Sequence, residues 1–108
     1  MILYRGYPNR EEKGGFTVFK NEKGNRKQLS PIPSQKLRNH SPDGFAWGYG
    51  GSGPAQLALA LLLDATKEKD TALANYQNFK WKIVAGWKMD EPWEFSDNQI
   101  NNWLINER

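Results

Sequence analysis

Cysteine is absent from the 108 residues, and histidine occurs once, as His40. The first absence excludes disulfides, iron–sulfur clusters, thiolate-bound zinc and thiol catalysis, and the second excludes a multi-histidine metal site within one chain. No metal and no cofactor is therefore expected. Long hydrophobic runs are lacking too: the longest, residues 57–63, falls far short of the ~20 residues that cross a bilayer. Met1-Ile2-Leu3-Tyr4 runs straight into Arg5 and Gly6 without the apolar stretch of an export signal. The expectation is a cytoplasmic protein with no membrane partner. Low-complexity tracts and internal repeats are missing as well.

What is present is aromatic. Five Trp, four Tyr and five Phe are too many for a disordered polyelectrolyte, so the chain folds, and its length suits one domain over residues 1–108. A chain of this size buries only ~60–65% of its unfolded surface, and a homodimer would add burial. Charge is uneven. Residues 1–40 hold nine Lys or Arg against three Glu, and residues 41–108 hold six basic against nine acidic groups, within a net charge of +3. Arg5, Arg10, Lys13, Lys20, Lys23, Arg26, Lys27, Lys36 and Arg38 make the first part a basic face. Such a face suits phosphates or an acidic partner, or is only solvated surface.

Residues 1–36 read as β structure. Ile2-Leu3-Tyr4-Arg5 and Phe16-Thr17-Val18-Phe19 have strand composition, Gly14-Gly15 punctuates, and Asn21-Glu22-Lys23-Gly24-Asn25 has hairpin chemistry before Arg26-Lys27-Gln28-Leu29. Pro31 and Pro33 forbid ladder pairing in a central strand, so residues 30–35 are expected to be a connection or an edge. Residues 54–108 read as three helices. Pro54 opens an Ala/Leu run that should be the buried central helix. Asp70 or Thr71 caps a second, carrying Ala72, Tyr76, Phe79, Ile83 and Trp87 at helical spacing, with Lys80 and Lys82 on its polar side and Trp81 turned away as an exposed anchor. The two form an αα-hairpin. Ser96 and Gln99 form a capping box for the third, with Asp97 on its positive end and Phe95 placed to staple onto Ile100. The fold expected is α+β: an N-terminal antiparallel hairpin or three-stranded sheet packed on three helices.

Residues 37–53 between these parts carry the chemistry. Gly48, Gly50, Gly51 and Gly53 fall within six residues directly before the central helix. Glycines let backbone N–H groups converge, and a helix N-terminus adds unpaired donors and about half a positive charge; together they make an anion site. The pattern is neither a Walker loop, since no Lys-Ser/Thr follows, nor a Rossmann turn, since no βαβ unit surrounds it. Upstream, Arg38 supplies a fixed cation for phosphate or carboxylate, and Asn39 and His40 supply an amide and an imidazole to orient a ligand. Trp47 or Tyr49 can stack on a base, while Ser52 and the N–H groups of Gly51 and Gly53 donate. The bland alternative is that Ser52 and Gly53 only cap the helix and that Trp47 and Tyr49 are core. No catalytic residue is assigned. His40 lacks a second acid–base group or a nucleophile placed by spacing, and Gly50-Gly51-Ser52-Gly53-Pro54 has Pro54 where a nucleophile elbow needs glycine.

Leu37-Arg38-Asn39-His40-Ser41-Pro42 with Gly44-Phe45, then Trp47 through Leu62 and downstream Tyr76 and Phe79-Lys80, resemble a family of small bacterial, archaeal and phage proteins known only as a domain of unknown function. The resemblance implies no activity. It does imply a niche on mobile elements, where small proteins counter host defences by sequestering nucleotide signals or blocking effectors. The function expected is thus a non-enzymatic binding protein for an anionic, nucleotide-like small molecule, with an anti-defence role on a phage or mobile element. The alternatives are a nucleic-acid- or protein-binding module acting through the basic N-terminal face, and a phosphodiesterase-type enzyme using His40.

Overall fold

A computed structural model describes residues 1–8 and 16–107. The Gly14-Gly15 turn and the basic residues Arg10 and Lys13 lie outside the described residues.

Strands β1 (Ile2–Pro8), β2 (Phe16–Glu22), β3 (Asn25–Gln28) and β4 (Trp93–Ser96) form one antiparallel sheet in the order β3-β2-β1-β4. The β2–β3 hairpin turns at Lys23 and Gly24, both at positive φ (53° and 79°), as a tight two-residue turn requires. The sheet is larger than expected by one strand. Strand β4 comes from the far end of the chain and pairs Leu3–Gly6 with Ser96–Trp93. Four residues are too few to show a period of two against the neighbouring helix signal.

Among the described residues four helices accompany the sheet: α1 (Ile32–Leu37), α2 (Ser52–Thr66), α3 (Lys69–Lys82) and α4 (Asp97–Glu107). Helix α1 corrects the expectation of a connection or edge over residues 30–35. Pro31 is its N-cap and Pro33 lies in its first turn, where a missing N–H breaks no intrahelical bond. Helix α2 is buried from Gly53 to Leu62, as its apolar circumference demands. It ends at Lys67, left-handed at φ 60°, whose N–H donates to the Leu63 carbonyl, and α3 returns as the other arm of the αα-hairpin. Helix α3 is shorter than its periodicity suggests. It stops at Lys82, a single 3-10 turn follows at Val84–Gly86, and Trp87 stacks on Trp93 with centroids 4.1 Å apart instead of continuing the helix.

Helix α4 starts on the expected capping box: Gln99 N–H donates to Ser96 Oγ (3.1 Å) and Ser96 N–H to Gln99 Oε1 (2.9 Å). Phe95, expected to staple onto Ile100, packs edge-on to Phe79 and beside Trp87. The core joins the inward residues Ile2, Tyr4, Val18 and Trp93 of the sheet to α2, Phe79 of α3, and Ile100 and Leu104 of α4. Burial of those apolar side chains is the main stabilising term.

Candidate functional site at the glycine loop

The loop begins where α1 ends, and one buried side chain fixes its course. Gln56, fully buried on α2, accepts the N–H groups of His40 (2.7 Å) and Ser41 (3.1 Å) on Oε1. Its Nε2 donates to Ser34 Oγ (2.8 Å) and to the Arg38 carbonyl (3.1 Å). Every hydrogen-bonding position of the amide is thereby used, so a polar group inside the core is stabilising instead of costly. The clamp was missed in the sequence, although Gln56 is the one polar residue in the run from Pro54 to Leu63. Residues four apart share a helix face, so Ser52 stands one turn before Gln56 on the face that carries residues 38–41.

The clamp brings the upstream cluster to the first turns of α2. Arg38 and Asn39 are exposed. His40 is half-buried, with Nε2 2.7 Å from the Tyr76 hydroxyl of α3. Trp47 departs from the expectation. It is completely buried, with Phe16 at 4.5 Å and Trp93 at 5.7 Å between centroids. An enclosed ring has no face to offer a ligand, whereas the Tyr49 ring is exposed.

The glycines hold aromatic rings against backbone. Gly48 has φ +88°, gives its N–H to the Val84 carbonyl (3.1 Å), and a Cβ there would come within 2.7 Å of the Met89 nitrogen. At Gly50 a Cβ would overlap the Trp81 ring, and at Gly51 it would meet the Tyr49 ring. Tyr49, Trp81 and Met89, exposed by 43%, 62% and 46%, thus ring the loop. Lys80, expected on the polar side of α3, is buried along its stem, with its ammonium 4.3 Å from the centre of the Trp81 ring.

Within this frame lies the start of α2. Its N-cap is Gly51, not Ser52; no side chain caps it, and its first turn holds no carboxylate. Ser52 is the first helical residue and is exposed. The first intrahelical bond is donated by Ala55 to the Gly51 carbonyl at 3.1 Å, so the helical N–H groups before it have no partner within the helix. The potential at this end is positive and unneutralised by the helix itself.

At the other end of α2, Asp64 Oδ2 accepts the Tyr4 hydroxyl (2.6 Å), and Oδ1 accepts Lys20 (2.8 Å) with Lys67 at 3.5 Å. Burial draws the Asp64 pKa upward. The hydrogen bonds from Lys20 and Tyr4 and the charges of Lys20 and Lys67 outweigh it, so the carboxyl is held below its usual range. Burial, then the hydrogen bond and charge of Asp64, push the Tyr4 hydroxyl far above the ordinary tyrosine range.

Among the described residues no three carboxylate or imidazole groups stand close enough to hold a metal ion, and no helix is long and apolar enough to cross a membrane. The chain belongs to the family of unknown function DUF6166, whose model matches residues 4–106. Neither a curated protein nor a solved structure matches it.

Proposed function

We propose that this is a small non-enzymatic binding protein, and that its ligand is an anion bearing a flat ring, such as a nucleotide, taken at the Gly48–Gly53 loop. One observation carries the reading: two exposed aromatic rings, Tyr49 and Trp81, rest on glycine backbone beside a helix N-terminus that has neither a capping side chain nor a carboxylate. In this reading the Gly51 N–H and the N–H and hydroxyl of the exposed Ser52 hold the anion, Gly53 being buried. Tyr49 and Trp81 stack on the ring, Arg38 neutralises charge, and Asn39 and His40 orient the ligand from the segment clamped by Gln56. Sequestering a nucleotide signal, as an anti-defence protein would, needs binding of this kind and no turnover.

Titration with AMP, cyclic AMP and inorganic phosphate, followed by tryptophan fluorescence, tests the reading, because stacking on Trp81 quenches an exposed indole. The expected result is binding of the nucleotides more tightly than phosphate, weakened roughly tenfold by Arg38→Ala, a change of about 1.4 kcal/mol, with an unchanged unfolding midpoint. Absence of nucleotide binding, or equal binding by Arg38→Ala, overturns it.

A further inference from the structure

A second surface lies on the opposite side of the sheet from α2. The strand register places Arg5 and Tyr7 of β1, Thr17, Phe19 and Asn21 of β2, and Arg26 and Gln28 of β3 on one face, because antiparallel partners share a face and alternate residues return to it. Tyr7, Asn21, Arg26 and Gln28 are exposed, and Phe19 is half-buried. Tyr7 and Phe19 meet edge to face at 6.0 Å. The Arg26 guanidinium lies 3.9 Å from the centre of Phe19 and 5.7 Å from that of Tyr7. Among the described residues Arg26 has no carboxylate partner, so its donor edges are left for a ligand while its plane is fixed on the rings.

On this side the basic residues are Arg5 and Arg26, with Lys23 at the hairpin tip, whereas Lys20, Lys27 and Glu22 stand on the inward register. Among the described residues, Glu94 is the one carboxylate on the outward register, and it is tied to Arg5 at 3.0 Å.

We infer that this sheet face binds single-stranded nucleic acid, with a base stacked on the exposed Tyr7 ring and phosphates met by Arg26 and by Lys23 at the hairpin tip. An exposed ring on a sheet binds unpaired bases, whose faces are free, whereas a duplex hides those faces in its own stack. The amides of Asn21 and Gln28 are placed to meet base edges. This site is separate from the glycine loop and stands or falls independently of it.

Fluorescence anisotropy with a labelled twelve-residue oligothymidylate at low salt is the test. The expected result is binding that Arg26→Gln and Tyr7→Leu each weaken about tenfold, with circular dichroism unchanged. Removing the same charge at Lys82, on α3 and paired with Glu107, leaves binding as it was. For about two phosphate contacts, log K should fall with log salt at a slope of ~1.4. The inference is overturned by no binding, by equal loss in Lys82→Gln, by equal affinity for the duplex, or by equal competition from a polyglutamate peptide, which would make the face a docking site for acidic proteins.

Discussion

The two ends of helix α2 are finished in opposite ways. At its C-terminus, Lys67 turns the chain in the left-handed region and Asp64 gathers a tyrosine and two lysines into a closed cluster. A cleft of about 270 Å³ opens there, lined in part by Leu29, Pro33, Ala60 and Leu63, but the carboxylate on its wall is already engaged. At its N-terminus nothing on the helix closes the end: the cap is glycine, the first turn has no acid, and the surrounding rings are exposed. Helix ends are ordinarily satisfied because capping and charge complementarity add stability. The C-terminal end is closed by the left-handed turn at Lys67, and its Asp64, unfavourable there for the helix dipole, is matched by lysines; the N-terminal end has no side chain to close it.

The largest expected effect comes from the clamp that fixes the open end. Gln56→Leu leaves the N–H groups of His40 and Ser41 without their acceptor, and should destabilise the fold by about 3 kcal/mol, measured by urea unfolding. A loss under ~1 kcal/mol would mean that the segment is held by other contacts.

Breaking the closed end should cost less. Asp64→Asn removes the charge facing Lys20 and Lys67 while keeping the shape, a loss of about 1–2 kcal/mol. The same cluster sets the pH dependence. The Asp64 pKa is lowered by folding, so its contribution is fully present above the unfolded value of about 4 and is lost as pH falls through the lower folded value. The Tyr4 pKa is raised, so its contribution is present below about 10 and is lost as pH rises further. Asp64→Asn should therefore flatten the acid limb of a stability–pH profile and leave much of the alkaline limb, because burial is the largest cause of the Tyr4 shift. An unchanged acid limb would show that other carboxylates govern acid unfolding.

Smaller still is Trp81→Ala. The ring is mostly exposed, so its loss should move the unfolding free energy by less than ~0.5 kcal/mol while removing the fluorescence response to nucleotides.

Local chemistry was legible in the sequence, and long-range pairing was not. The Ser96–Gln99 capping box, the Lys23-Gly24 turn and the buried Ala/Leu helix each depend on residues a few positions apart. Strand β4 exists only because β1 offers it an edge, and Tyr4 meets Asp64 across sixty residues. Prolines that argue against a strand also suit the first turn of a helix, which hid α1. At the candidate site, the glycine cluster marked the loop, but its spacing could not tell that Gly50 lies under Trp81, that Trp47 turns inward, or that Gln56 holds Arg38–Ser41 in place.

Ser52→Asp tests the open end most directly. A carboxylate in the exposed first turn of α2 complements the helix dipole and should stabilise the fold by about 0.5 kcal/mol, while the same charge repels an anion and weakens AMP binding roughly tenfold, about 1.4 kcal/mol. Stability rising as affinity falls, measured on one preparation by urea unfolding and by fluorescence titration, is the predicted result. A variant that binds AMP as well as the parent protein would contradict the account.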